Sequence, residues 1–193
     1  MTSKSTNNFT QTHDGSEMPI YRQRHRIIES LNSHRAVVVE SPTGSGKTTQ
    51  IPRILYEHGY GEKARIGITQ PRRIAAVSVC RYLQQQMAAA DGVPTDLVAY
   101  KMRFEDTTTS ACAIKIMTDG ILLQEIKLDA ELSEYQVVVV DEAHERSLNI
   151  DFTLGLLKQV LDRRSDRCVV VSSATINAEV FSAYFNHCPI VRV

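Results

Sequence analysis

AVVVESPTGSGKTTQIP, residues 36–52, decides how the rest of the chain is read. Ala36, Val37, Val38 and Val39 form a continuous apolar run, the composition of a strand covered on both faces; a strand with one wet face would alternate. Directly after it, Gly44 and Gly46 can take backbone angles closed to other residues. Successive amides can then turn inward at a helix start and form an anion nest. Lys47 and Thr48 follow where a mobile cation and a hydroxyl would meet the outer phosphates of a nucleotide and its divalent ion. Strand, glycine loop and helix in this order predict a phosphate-binding loop lined by Thr43, Gly44, Ser45, Gly46, Lys47, Thr48 and Thr49, with Thr49 and Gln50 beginning the helix. Ser41 stands where the strict pattern has glycine, and its small side chain makes that departure tolerable.

Outward from this stretch, further apolar runs occur at 65–70 (RIGITQ), 112–118 (CAIKIMT), 137–142 (VVVVDE) and 168–174 (CVVVSSA). Segments 72–89, 120–128 and 152–163 repeat apolar residues at three- and four-residue intervals, the helical period. Segments 91–96 (DGVPTD) and 104–111 (FEDTTTSA) read as loops. Alternating strands and helices predict an α/β fold: a mainly parallel sheet with helices on both faces and ligands beyond the carboxyl ends of its strands.

The run at 137–140 ends in Asp141 and Glu142, two carboxylates at a buried strand end, where charge is costly without a cation or solvent. Asp141 is the expected partner of a magnesium ion, directly or through water, and Glu142 is placed to orient and deprotonate a water attacking a γ-phosphate. Thr48, Asp141 and Glu142 form the candidate metal set, and ATP or another nucleoside triphosphate with Mg2+ is the expected cofactor. An Asp-Glu pair ending a strand is common on its own, and the phosphate loop upstream gives this one its weight.

Composition narrows the class. The 193 residues are 42% hydrophobic and 23% charged, as in a globular protein, and no apolar run is long enough to span a bilayer. The twenty-two basic and twenty-two acidic residues cancel, which excludes a uniformly basic nucleic-acid binder and leaves room for a local basic patch. Cys80, Cys112, Cys168 and Cys188 lack the paired spacing of a zinc site or disulfide framework, so reduced thiols and a cytoplasmic setting are expected, and the adjacent His187 and Cys188 are assigned no metal. Residues 1–19, polar and without the basic flank and apolar centre of a secretion signal, are expected to form a flexible leader before a single domain over 20–193.

The ordered set GSGKTTQIP, TQPRRIAAVSV, RFED, TDGILLQE, DEAHERSLN, SSATINAEVFSAYF and CPI resembles the DEAH-box helicases of superfamily 2, in their HrpA-type and spliceosomal-type branches. The resemblance runs from about Tyr21 to Val193. It implies the first RecA-like motor domain of an ATP-dependent RNA helicase, with Lys47, Asp141, Glu142 and His144 as its catalytic set. His144 would communicate with the SAT segment at 173–175, so that Ser173 and Thr175 couple nucleotide state to movement, although such hydroxyls also serve as simple strand-end hydrogen bonds. Single-stranded RNA, with DNA as the alternative, would be held by its backbone through Arg72, Arg73 and Thr118, with Thr69 and Gln70 donating from strand ends. Paired arginines at a helix start also serve as a plain solvated face. Arg103 has a competing role in pairing with Glu105 or Asp106. Pro42 stands where the family has glutamate, and Tyr82 where many members carry an adenine-stacking arginine, so Tyr82 is the candidate base contact. The family places its arginine fingers in a second RecA-like domain, which this chain is expected to lack. The polypeptide alone is then expected to bind nucleotide with little turnover. A cytoplasmic location is implied, or a nuclear one in a eukaryote.

Two other classes share part of this pattern. A transporter ATPase or small-molecule kinase would use the same phosphate loop, but without DEAH and SAT segments in register. A non-catalytic nucleotide-binding regulator often loses its catalytic carboxylate, which here is present as Glu142.

Overall fold

The computed structural model describes residues 17–174 and 177–193. Eight strands form one sheet in the order β4-β3-β5-β2-β6-β7-β1-β8. They are β1 (Ala36–Glu40), β2 (Arg65–Gln70), β3 (Val98–Met102), β4 (Glu105–Asp106), β5 (Ile114–Thr118), β6 (Tyr135–Val140), β7 (Cys168–Ser173) and β8 (Ile190–Arg192). Every pairing is parallel except β3 with β4. Among the described residues, α1 (Arg24–His34) precedes the first strand and five further α-helices connect strands: α2 (Lys47–Glu57), α3 (Arg73–Asp91), α4 (Asp119–Leu128), α5 (Leu148–Arg163) and α6 (Ala178–Tyr184).

The apolar runs are two-faced, as their composition requires. Val37, Val39, Ile66, Ile68, Val137, Val139 and Val170 pack into the cluster that holds residues of α1, α2 and α3. Their neighbours Ala36, Val38, Val138, Val140, Val169 and Val171 pack into the other, with residues of α4, α5 and α6. Alternation of side chains along each strand makes this division unavoidable. Burying a Val or Ile is worth about 1.5–3 kcal/mol, so the four adjacent strands β2, β6, β7 and β1 anchor the sheet.

Local chemistry sets the helix ends. Ser147 caps α5, its Oγ accepting from the Ile150 amide at 3.2 Å. Arg35 closes α1 in a left-handed conformation, and its guanidinium donates to the carbonyls of Leu161 and Arg164 near the end of α5. The loop expected at 104–111 contains the two-residue β4: Lys101 and Met102 of β3 pair with Asp106 and Glu105. α2 starts at Lys47, two residues earlier than the sequence suggested, because Gly46 at φ +89° ends the loop and the helix follows at once.

The expected leader at 1–19 falls mostly outside the described residues. In its described part, Met18 packs against the core, and Pro19–Gln23 forms a 3-10 turn leading into α1. Among the described residues, no helix is long and apolar enough to cross a membrane. All four cysteines are free.

Candidate nucleotide site

Parallel pairing puts the ends of β1, β2, β5, β6 and β7 on one edge of the sheet, and the candidate residues gather there. The loop after β1 turns through Gly44 at φ +84° and Gly46 at φ +89°. Nothing lies within 4 Å of a Cβ built on Gly44, so the loop leaves open space on that side. At the base, the Ser41 hydroxyl donates to that of Ser45, and the Ser45 amide donates to the Pro42 carbonyl. Both serines are buried, so Ser41 does structural work inside the loop. Thr43 and Gly44 are exposed. Thr49 donates back to the Gly46 carbonyl at 3.3 Å. The first amides of α2 have no intrahelical acceptor and form the electropositive end of that helix.

Asp141 is the hub of the site. It is 1% exposed and accepts three neutral donors from three elements. Thr48 Oγ1 of α2 and Gln70 Nε2 of β2 each reach Oδ2 at 2.6 Å, and Ser172 Oγ of β7 reaches Oδ1 at 2.7 Å. Glu142 lies beside this hub and faces elsewhere. Its Oε1 is 3.4 Å from Lys47 Nζ and its Oε2 is 3.3 Å from His144 Nε2. His144 Nδ1 accepts from the Ala174 amide at 3.2 Å, which joins the DEAH turn to the SAT segment. Glu142 and Arg146 both adopt left-handed backbone, φ 52° and 48°, on either side of the 3-10 turn Ala143–Glu145. Two such non-glycine residues a few positions apart mark a turn held in place by its surroundings.

A magnesium ion suits part of this donor set. Thr48 and Asp141 present hard oxygens side by side, and Mg2+ typically takes one or two protein oxygens and completes its shell with phosphates and water. The sequence grouped Glu142 with them as a metal ligand, whereas the structure turns it toward Lys47 and His144. Among the described residues, no three His, Cys, Asp or Glu side chains converge as a metal cage, His187 and Cys188 included.

The remaining candidates separate by exposure. Thr69 and Gln70 are buried, at 0% and 3%, so the expected donation from them to a nucleic acid is replaced for Gln70 by the bond to Asp141. Arg72 and Arg73 are exposed at the start of α3, and Arg72 reaches Glu145 at 3.4 Å. Thr118 is half-buried, and its side chain makes no capping bond to α4. Tyr82 is 41% exposed on α3, one turn before Gln86, whose Oε1 accepts from Gln50 of α2. Arg103 lies 5.2 Å from the Phe104 ring centroid; Glu105 instead accepts from Tyr100, and Asp106 pairs with Lys101 at 3.6 Å. Ser173 is buried and donates to the Ala174 carbonyl at 2.9 Å. Thr175 lies outside the described residues.

Sequence reasoning passed over Ser172. Alternation along β7 was the available signal: of two adjacent serines at a strand end, one must face the neighbouring acid, and the next points to the opposite side.

Known proteins are similar to this chain in sequence. ATP-dependent RNA helicase HrpA of Borreliella burgdorferi is 52% identical over 177 residues, covering 92% of this chain and 21% of that protein. HrpA of Escherichia coli is 46% identical over 176 residues, and the Haemophilus influenzae homolog 47% over 177, each covering 91% of this chain and 13% of the relative. The chain therefore spans about a fifth or less of the length of these relatives. The family model for DEAD/DEAH box helicases matches residues 21–183, over the glycine loop, the Asp141 hub and the SAT strand, and the chain belongs to the DEAD/DEAH box helicase family.

Proposed function

We propose that this chain is the ATP-binding motor domain of an ATP-dependent RNA helicase. The carrying observation is the Asp141 hub, where the phosphate loop through Thr48, the β2 end through Gln70 and the SAT strand through Ser172 meet on one carboxylate. Such an arrangement lets a change at the nucleotide reach two other strand ends without passing through solvent.

Each residue then has a distinct task. The loop amides and the α2 terminus bind phosphate oxygens. Lys47, held here by Glu142, exchanges that carboxylate for the outer phosphates when a nucleotide enters, which frees Glu142 to accept a proton from water. His144 bridges Glu142 and the Ala174 amide, so it holds the base and reports its state to the SAT segment. Thr48 and Asp141 would hold a Mg2+ ion, which would supply charge neutralisation for the phosphates. Arg72, Arg73 and Thr118, at the ends of β2 and β5, hold the backbone of single-stranded RNA, or of DNA, without reading bases. The exposed Tyr82 offers a ring face to the base, a loose contact that suits hydrolysis of several nucleoside triphosphates.

Titration of a fluorescent ATP analogue into the chain tests this reading. Saturable, Mg2+-dependent binding is expected, abolished by Lys47→Ala and retained by Glu142→Gln. In the full-length protein Glu142→Gln is expected to lower turnover by about 10²–10⁴-fold, the range of a lost general base. Binding indifferent to Lys47 and Mg2+ would refute the proposal.

A further inference from the structure

Gln70 was expected at the nucleic-acid surface, yet it is 3% exposed and its amide faces inward. It ends β2, aligned with Thr118 of β5, and the preceding Thr69 aligns with Val140, the residue before Asp141. One strand end is thus joined on one side to a candidate RNA contact and on the other to the acid. The Gln70 Nε2 bond to Asp141 Oδ2, at 2.6 Å, completes that link.

The chemistry of the donor matters. A lysine at this position would compete with a metal ion for the carboxylate, and an acid would repel it. A neutral amide fixes the carboxylate's rotation and leaves its full charge available to a cation, which is what partners outside a metal's own ligand shell supply. Ser172 acts in the same way on Oδ1, so both Asp141 oxygens are oriented by neutral groups. Gln70 differs in its address, because Pro71, Arg72 and Arg73 follow it directly.

We infer that Gln70 is a positioning residue for the magnesium-binding carboxylate, and that it ties the orientation of Asp141 to the strand end carrying the RNA-contacting arginines. The inference rests on the proposed motor reading. Strand engagement at Arg72 and Thr118 displaces the end of β2, and the amide hands that displacement to Asp141. By linkage, RNA and magnesium-nucleotide then change each other's affinity.

The test measures binding of the fluorescent ATP analogue to the chain as Mg2+ is varied, with EDTA as the metal-free limit. Gln70→Met keeps the volume and removes the donor; Gln70→Glu keeps the volume and turns an acceptor toward Asp141. Gln70→Met is expected to raise the Mg2+ concentration for half-maximal binding about tenfold, the lower end for loss of such an outer partner, with affinity in EDTA unchanged. Gln70→Glu is expected to raise it further. Single-stranded oligouridylate should shift the Mg2+ midpoint in the wild type and leave it unmoved in Gln70→Met. Equal losses with and without Mg2+ in both variants would assign Gln70 to packing and overturn the inference. An oligouridylate shift that is absent in the wild type, or identical in the variant, would overturn the link to β2. A wild type without Mg2+-dependent nucleotide binding would instead refute the motor reading, and this inference with it.

Discussion

Gly44 and Gly46 share a left-handed backbone, but a side chain would meet different surroundings at each. An added Cβ at Gly44 has open space around it; at Gly46 it would lie 3.2 Å from Met18 Sδ and 3.3 Å from Gln50 Cγ. The backbone cost of alanine in this conformation, about 1–2 kcal/mol, is common to both positions. Gly44→Ala should therefore lower stability by about that amount and Gly46→Ala by more, measured by urea unfolding. Met18→Ala should recover part of the difference, because it removes Sδ, the closest obstacle, and leaves only the Met18 Cβ at 3.3 Å. Additive losses in the double variant would show that Met18 does not crowd the loop. The comparison also shows what sequence conveys at this scale. Glycine spacing announced a phosphate loop, while the pressure of Met18 on one of those glycines depends on a segment far away in the chain. Gln70 was misassigned for a related reason: residue type shows that an amide can donate, and only the packing of three strand ends shows what it donates to.

At the scale of elements, β5, α4 and β6 are joined by a buried ionic cluster away from the nucleotide. Lys115 Nζ of β5 donates to Glu125 Oε1 of α4 at 2.6 Å, Lys101 donates to the same oxygen at 3.0 Å, and the Tyr135 hydroxyl of β6 donates to Oε2. Gly67 of β2 makes room for this, since a Cβ there would fall 2.8 Å from the Tyr135 ring. Burial pushes the Glu125 carboxyl up, but the bonds from Lys115, Tyr135 and Lys101 outweigh it and hold the group below the ordinary glutamate range. A depressed folded value means that this stabilisation is complete above the unfolded value, about 4.3, and is lost as pH falls through the lower folded value. Glu125→Ala, which leaves the buried Lys115 with only the exposed Glu134 carboxylate at 3.9 Å, should cost about 3 kcal/mol near neutral pH, the lower end for breaking a buried pair. The gap between wild type and variant in urea unfolding should narrow as pH is taken below about 4. A gap constant with pH would assign the loss to packing. The continuous apolar runs β1, β2 and β7 were legible in sequence almost to the residue and β6 within two residues, because burial on both faces leaves an unbroken signal. β3, β4, β8, α1 and α6 were not. Segment 98–102 is half-exposed along part of its length, β4 has two residues and β8 three, and so short or mixed a pattern resembles loop until a neighbouring strand pairs with it.

Across the whole molecule, charge is balanced and the candidate site residues gather on one edge, so the proposed attraction for a nucleic acid has to be local. That edge carries Arg72 and Arg73 beside Glu145, Asp141, Glu142 and the buried Asp119, whose carboxyl burial pushes up, with Asp141 and Glu145 adding to the rise. Carboxylates on this scale limit how many phosphates the domain can neutralise. Arg72 must also leave Glu145, but an exposed pair of this kind is worth only about 0–1 kcal/mol, so a phosphate replaces it at little cost. Two arginine contacts to a single strand predict a slope of log affinity against log salt of about −1.4, since each neutralised phosphate on single strands contributes about −0.7. Arg72→Ala and Arg73→Ala should each flatten that slope by about 0.7 and weaken all sequences alike, as the proposed backbone-only contact requires. Anisotropy titrations of labelled oligouridylate against potassium chloride measure both quantities. A slope of about −4 or steeper would require several more phosphate contacts and would move the grip from this edge to a broader basic surface.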